Sequence, residues 1–595
     1  MSAPVWDLTI AYQSLTDEKI QRDIQFVRET GEKIAALSTD SIEEMQTALA
    51  LYDKALTQLL TLQSYSSCIA STDANNEAAR SLYVKSSKLN SDFYQHCSAL
   101  RLALVNHDDE TVEAVLAGNN ETGSLAHHGF LIALQRKERV FQLGLKEEQL
   151  LAAMNVDGKE AWGRLYDNLT GSLEVTLKLD DGTEETIGLA TAASILYGSD
   201  EKRRAPAWHA ISDIMKTHQV SIAAILNAIA GSRLTEYQKR SHTETLDYLT
   251  PSLNDSRIER ATLEALMDVA WENRDIGQKA GLLMAKMFGT DKLKPWDELA
   301  SMPSQKGVAS EYSFEDAIEI IKEAFAGVDP EMADFVDYMV DQKLIDAAPA
   351  QSKRLGAYCT RFADTRTPLV FMTWGNSMSD VITLAHELGH AFHNWVLNER
   401  PLALASYPMT LAETASIFAE NVVRDALLAK TSTDDEKLHM LWEEAQSALA
   451  LTINIPVRFD FENNFYAQRQ QGELTAEQLR ALMAEKWAKW YGEAMTETNE
   501  MFWASKLHFS IDSVSFYNYP YLFGYLFSKG VYAQREAKGD SFYQDYKALL
   551  MDTGCMSAEE VVQKHLGMDI RKPEFWQQSM DLIRKDVEAF ERLLS

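Results

Sequence analysis

The sequence predicts a mainly α-helical protein, and three observations carry that reading. Only 13 prolines occur in 595 residues. Long segments space their apolar residues by three and four, which places them on one face of a helix. Helix start signals stand where those segments begin. The spacing is clearest in IEEMQTALALYDKALTQLLTLQ (42–63) and LRALMAEKWAKWYGEAM (479–495). Ser41 with Glu44, and Thr475 with Gln478, have the spacing of a capping box; Asp329-Pro330 sets a cap before a first-turn proline.

Two segments depart from the helical pattern. In SLEVTLKLDDGTEETIGL, Leu173, Val175, Leu177 and Leu179 alternate, and Asp-Asp-Gly then interrupts the run, which predicts a hairpin near 172–189. The hairpin is expected to close an N-terminal helical region, 1–190, ahead of a second region, 191–595. No Gly/Ser-rich or Pro-rich linker marks the join. LVFMTWGNS (369–377) is rich in β-formers and predicts a second small β element, an edge strand able to pair with an extended peptide, with Gly375 allowing close approach. Residues 290–312 and 363–380 read as irregular connections.

Composition narrows the function. Hydrophobic residues at 46% and charged residues at 24% describe a folded globular chain. The excess of 88 acidic over 57 basic residues, a net charge of −31, repels phosphate backbones and anionic lipid. Neither nucleic acid nor a membrane is an expected partner. Cys68, Cys97, Cys359 and Cys555 lie far apart without a CxxC pair, which suits reduced thiols. With no basic n-region or apolar h-region at the start, a cytoplasmic location is expected.

The chemistry centres on HELGH, 386–390. Residues four apart on a helix share a face, about 6 Å apart along the axis, so His386 and His390 can reach one ion. Glu387 is then placed to reach a water rather than the ion. Catalytic zinc takes three protein ligands and keeps a position open. The third is expected to be Glu413, with Glu420 two helical turns further along and able to hold a ligand histidine. His393 stands about 10.5 Å along the axis from His386, too far to share its ion. Asp380 is either a helix cap or a hydrogen-bond partner for a ligand imidazole.

With these residues assembled, the chain resembles the M3 family of zinc oligopeptidases, in its oligoendopeptidase F branch. The likeness rests on HELGHAFH (386–393), ETASIFAE (413–420), GAYC (356–359), GNSMSDVITLAHE (375–387) and HFSIDSVSFYNYPYLFGY (508–525). It implies a large helical ellipsoid with a deep substrate channel between lobes, one Zn²⁺ per chain on the active-site helix, and short unstructured peptides as substrates. It also implies that a late histidine and late tyrosines meet the substrate. His508 matches the histidine; of Tyr517, Tyr519, Tyr521 and Tyr525, the pair Tyr517 and Tyr521 is chosen, since four residues apart on a helix they would share a face.

The expected activity is hydrolysis of internal peptide bonds, with zinc polarising the carbonyl, Glu387 as general base, and His508, Tyr517 or Tyr521 as hydrogen-bond donors. A carboxypeptidase or dipeptidase with related ligands, and a non-catalytic peptide-binding protein, are the alternatives. Lys353, Arg354, Arg361 and Arg366 are conceivable carboxylate anchors, or solvated surface. An iron oxygenase also uses two histidines and a carboxylate, but needs no glutamate beside the first histidine.

Overall fold

The computed structural model describes residues 3–120, 123–303, 311–431 and 433–595, and it is predominantly helical with three small sheets among them. The expected connection at 290–312 lies partly outside the described residues. All three predicted caps form. Ser41 accepts the Glu44 N–H at the head of helix Ile42–Thr72, but without the reciprocal half of the box, because the Glu44 carboxylate accepts the Ser38 N–H instead. Thr475 and Gln478 make the reciprocal pair that starts Ala476–Tyr491. Asp329 caps Pro330–Asp341, whose proline occupies a position with no intrahelical donor to lose. No described helix is long and apolar enough to cross a membrane.

The chain divides into two units, each assembled from three stretches. The first comprises Met1–Arg139, Ala309–Lys430 and Val531–Met568; the second Val140–Val308, Thr431–Gly530 and Asp569–Ser595. The stretch 1–190 therefore contributes to both.

In the first unit, helices Glu18–Ala36, Ile42–Thr72 and Glu77–His96 pack on one another, and helix Met378–Val396 lies against helix Ser416–Lys430 and a three-stranded sheet. Thr367–Phe371 is the central strand, parallel to Ile345–Asp346 and antiparallel to Tyr358–Phe362, with Tyr358 opposite Phe371. This corrects the expected edge strand. All five residues of TPLVF are buried, and a run buried on both faces is stable with both edges paired. The N–H groups of Met372 and Trp374 continue on one side to Asp346 O and Ala347 O, each at 2.9 Å. Gly375 then belongs to a turn, its N–H donating to Asp380 Oδ2 at 3.2 Å, and Asn376 sits at φ 64°.

In the second unit the predicted hairpin is present as Glu174–Lys178 paired with Glu184–Gly188. Its inward residues Val175 and Leu177 pack on Ala192, Ala207 and Ala210. Helices Asp434–Leu449 and Pro573–Leu593 pack together, the latter burying Phe575, Trp576, Met580, Ile583, Val587 and Phe590 along one stripe.

Candidate active site

HELGH lies in the middle of helix Met378–Val396. Ser377 and Asp380 form its capping box, with Ser377 N–H donating to Asp380 Oδ2 at 2.9 Å and Asp380 N–H to Ser377 Oγ at 3.1 Å. Asp380 is thus the cap. Val381, Leu384, Ala385, Leu388 and Phe392 bury the opposite face of the helix. That burial fixes its rotation, so the His386 and His390 side chains stay 27% and 18% exposed on a common side.

Glu413 reaches both histidines by a route the heptad spacing did not foresee. Glu413 and Glu420 do not share one continuous helix: Met409–Ala412 ends before Glu413, and the next helix begins at Ser416. Gly389 permits the close packing of this break on the motif helix. A Cβ on Gly389 would lie 2.5 Å from Ala415 O and 2.7 Å from Ser416 Cα. The glycine lets the turn at 413–415 press against the helix, which brings Glu413 Oε2 to 3.5 Å from His386 Nε2 and 3.4 Å from His390 Nε2. The two Nε2 atoms are 3.1 Å apart.

A tetrahedral ion with bonds of about 2.0–2.1 Å sets its donors about 3.3–3.4 Å from one another. The triangle of His386, His390 and Glu413 matches that spacing without rearrangement. Its protonation fits too. Glu420 Oε1 lies 2.5 Å from His386 Nδ1 and can only accept when ionised, so the proton sits on Nδ1 and the Nε2 lone pair faces the triangle. His390 hydrogen-bonds the Ala412 backbone and likewise presents Nε2. Burial alone would lower the pKa of His386, but Glu420, with help from Glu413 and Glu387, pushes it up to about 9. Burial and the His386 charge take His390 down to about 4. The carboxylates that favour a proton on His386 would equally favour a metal cation in place of that proton at Nε2.

Glu387 is 5% exposed, and its Oε2 is buried with no hydrogen-bond partner. Burial raises its pKa to about 7, opposed by His386 and reinforced by Glu413 and Glu420. Sequence reasoning missed Ser416, whose hydroxyl donates to Glu413 Oε2 at 2.6 Å and holds the carboxylate in place. It also missed Arg424, 3.6 Å from Glu420. Spacings of three and four residues from the two glutamates were the available signals.

The remaining candidates sort by contact. His393 is fully buried, stacks on Tyr407 at 4.2 Å, and has Nε2 2.9 Å from Thr553 Oγ1; it packs the helix in place. Three of the basic residues are braces rather than surface or free anchors. Lys353 is enclosed with Asp346, at 2.5 Å. Arg361 donates to Asn394 Oδ1 and Ala405 O, at 3.1 and 2.9 Å. Arg366 donates to the Leu397 and Arg400 carbonyls.

His508, Tyr517 and Tyr521 come together in the second unit, whereas the HELGH group belongs to the first. His508 is 6.2 Å from Tyr517 and 6.0 Å from Tyr521 between ring centroids, and the two tyrosines are 5.9 Å apart. A shared helix face is not the cause, because the helix begins at Tyr519. Tyr517 instead projects from a loop held by Arg233, which donates to Ile511 O and Val514 O, and by Glu462, which accepts the Phe516 N–H at 2.8 Å. Phe516 is held at φ 56°, an uncommon conformation for a bulky residue. Tyr517 and Tyr521 are partly exposed; Tyr519 and Tyr525 are buried. Burial, Arg458 and Lys506 lower the His508 pKa to about 4, so its imidazole is neutral at physiological pH.

Comparison with known proteins agrees with this assembly. The profile of Peptidase family M3 matches residues 194–582, and that of Oligopeptidase F matches 104–174. Oligopeptidase PepF of Bacillus subtilis (strain 168) is 22% identical over 602 residues, covering 99% of this chain and 87% of its own. An oligoendopeptidase F homolog of Lactococcus lactis subsp. lactis is 24% identical over 465 residues, covering 76% and 74%. Among solved structures, a Chlamydophila abortus protein superposes with TM-score 0.85 at 20% identity, covering 99% and 98%. Oligoendopeptidase-F from Enterococcus faecium superposes with TM-score 0.70 at 17% identity, covering 97% and 98%. With that profile spanning most of the chain, over the helix and turn that assemble the histidine–glutamate triangle, the protein belongs to peptidase family M3, in its oligoendopeptidase F branch, and is a metallopeptidase.

Proposed function

We propose that this peptidase is a zinc-dependent endopeptidase that cuts internal bonds of short, unstructured peptides, acting in the cytoplasm. The observation that carries the reading is the donor triangle of His386, His390 and Glu413 beside a buried Glu387 oxygen with no protein partner. Zinc is favoured because two imidazoles and one carboxylate, with a position left open, are a donor set it takes in catalytic sites. When bound there, the ion supplies Lewis acidity toward a peptide carbonyl and toward water.

Glu387 acts as the base. Its Oε2 takes a proton as the water oxygen bonds to the carbonyl carbon, then gives that proton to the departing amine nitrogen as the C–N bond breaks. The carboxylate is thereby restored. Glu420 keeps the His386 proton on Nδ1, so Nε2 remains a ligand. The neutral His508 and the phenols of Tyr517 and Tyr521 are assigned, from the family resemblance, to donating hydrogen bonds to the peptide and to its developing negative charge. The catalytic residues are accordingly placed in the region 191–595.

The test is incubation of the purified protein with a panel of unstructured peptides, with and without a chelator, and product identification by mass spectrometry. Internal cleavage that chelation abolishes and zinc restores is expected. Loss of single residues or dipeptides from a terminus would identify an exopeptidase instead. Zinc at one per HELGH site with no cleavage of any peptide would identify a binding protein.

A further inference from the structure

Among the described residues a second trio of ligand-type side chains brings one donor atom each within 4.8 Å of the others: Asp53, His127 and His128. All three belong to the first unit. Asp53 lies on helix Ile42–Thr72, and the histidines end the short 3-10 turn Leu125–His128. His127 Nε2 is 3.0 Å from Asp53 Oδ2, and His128 Nε2 is 3.0 Å from Asp53 Oδ1. The side chains are mostly enclosed, at 11%, 7% and 18% exposure for His127, His128 and Asp53.

Two features set this group apart from an ordinary ion pair. The first is the tautomer of His127. Its Nδ1 lies 2.5 Å from the Ser124 carbonyl oxygen, which only accepts, so the proton is on Nδ1. With Nε2 3.0 Å from an ionised carboxylate oxygen, a positive charge belongs between them, supplied either by a second ring proton or by a bound cation. A backbone carbonyl holding one ring N–H is also how proteins fix a histidine in its ligating form. The second feature is His128, whose residue is 6% exposed and whose buried Nε2 makes no hydrogen bond despite lying 3.0 Å from Asp53 Oδ1. A cation among the three donors would be ligated by both nitrogens, including the His128 Nε2 that otherwise makes no hydrogen bond.

We propose that Asp53, His127 and His128 form a second divalent-cation site, of the zinc class, that clips the turn Leu125–His128 to helix Ile42–Thr72. Two imidazoles select against magnesium and calcium, which prefer all-oxygen ligation, and suit zinc or a neighbouring transition metal. The site has no glutamate base in its donor set, and its role is to hold two segments far apart in the chain. The count of one zinc per chain then refers to the HELGH site alone.

The deciding experiment leaves the new site intact and removes the other. A His386→Ala, His390→Ala double variant is dialysed against micromolar free zinc, and metal per chain is measured by elemental analysis. One zinc is expected, with two in the wild type and one in Asp53→Asn. Zinc should raise the melting temperature of the double variant, and this rise should vanish when Asp53→Asn is added. Zero zinc in the double variant would overturn the proposal and leave an imidazolium–carboxylate pair. Zinc that persists after Asp53→Asn is added would overturn it too, since the ion would then lie elsewhere. Peptide hydrolysis plays no part in this readout, so failure here is separable from failure of the peptidase assignment; if Asp53→Asn alone does not fold, the double variant still decides.

Discussion

Gly389 offers the sharpest test, because helix propensity and packing predict opposite outcomes for Gly389→Ala. Propensity alone says that alanine in a helix interior stabilises by about 0.8–1.0 kcal/mol. Packing says otherwise. The new Cβ would lie 2.5 Å from Ala415 O and 2.7 Å from Ser416 Cα, both backbone atoms with no rotamer to turn aside. Restoring ordinary contact at 3.4 Å needs the 413–416 turn to retreat by about 0.9 Å. Overpacking of this kind costs about 1–3 kcal/mol, so the net effect on stability is loss, not gain. The larger effect falls on the metal. Ligand distances tolerate only about 0.2 Å, and Glu413 rides on the displaced turn. Misplacement of about 1 Å at a reacting centre costs about 10²-fold. Zinc affinity, measured by competition with a chelating dye, and kcat/KM on a cleaved peptide should each fall by about 10²-fold. A variant that melts higher than wild type and keeps both metal and turnover would refute the steric account of the glycine.

Glu387→Gln should keep zinc at the HELGH site and lose about 10²–10⁴-fold in turnover, as expected of a general base; unchanged turnover would remove Glu387 from that role. Glu420→Ala should weaken zinc binding by about 10–100-fold, because His386 loses the acceptor that sets its tautomer. The tyrosines should separate by readout. Tyr519→Phe loses hydroxyl contacts to Ser252 and Ser256 and should lower stability by about 1 kcal/mol, whereas Tyr521→Phe should lower kcat by about 10²-fold with an unchanged melting temperature. For His508 the folded pKa of about 4 lies below the ordinary 6.5. The unfolded chain therefore takes up a proton first as pH falls, and stability present above 6.5 is lost on the way down to 4. Between pH 7 and pH 5 the wild type should lose more melting temperature than His508→Gln; equal losses would mean that His508 is not held neutral.

What the sequence by itself determined is the local part of this protein. Caps at Ser41, Thr475 and Asp329, the 172–189 hairpin, and the pairing of His386 with His390 all depend on residues a few positions apart. Backbone geometry at that range is set by the residues themselves. The identity of Glu413 and Glu420 as partners of His386 was legible as carboxylates in an apolar stretch after the motif. How they reach it was not: Thr414, Ala415 and Ser416 contain no helix breaker, and the turn at 413–415 sits against the motif helix where Gly389 admits backbone from another segment.

Only tertiary structure decided the rest. Thr367–Phe371 is central rather than an edge because partners from 345–346 and 358–362 close both its sides. Tyr517 meets Tyr521 through a loop held by Arg233 and Glu462, residues far off in the chain, and not through a helix face. Asp53 meets His127 across 74 residues. Such contacts form when loop-closure entropy is offset by burial elsewhere in the unit. A spacing rule along one chain carries no record of that balance: it paired Tyr517 with Tyr521 for a reason the fold does not use, and it gave no sign of the other contacts.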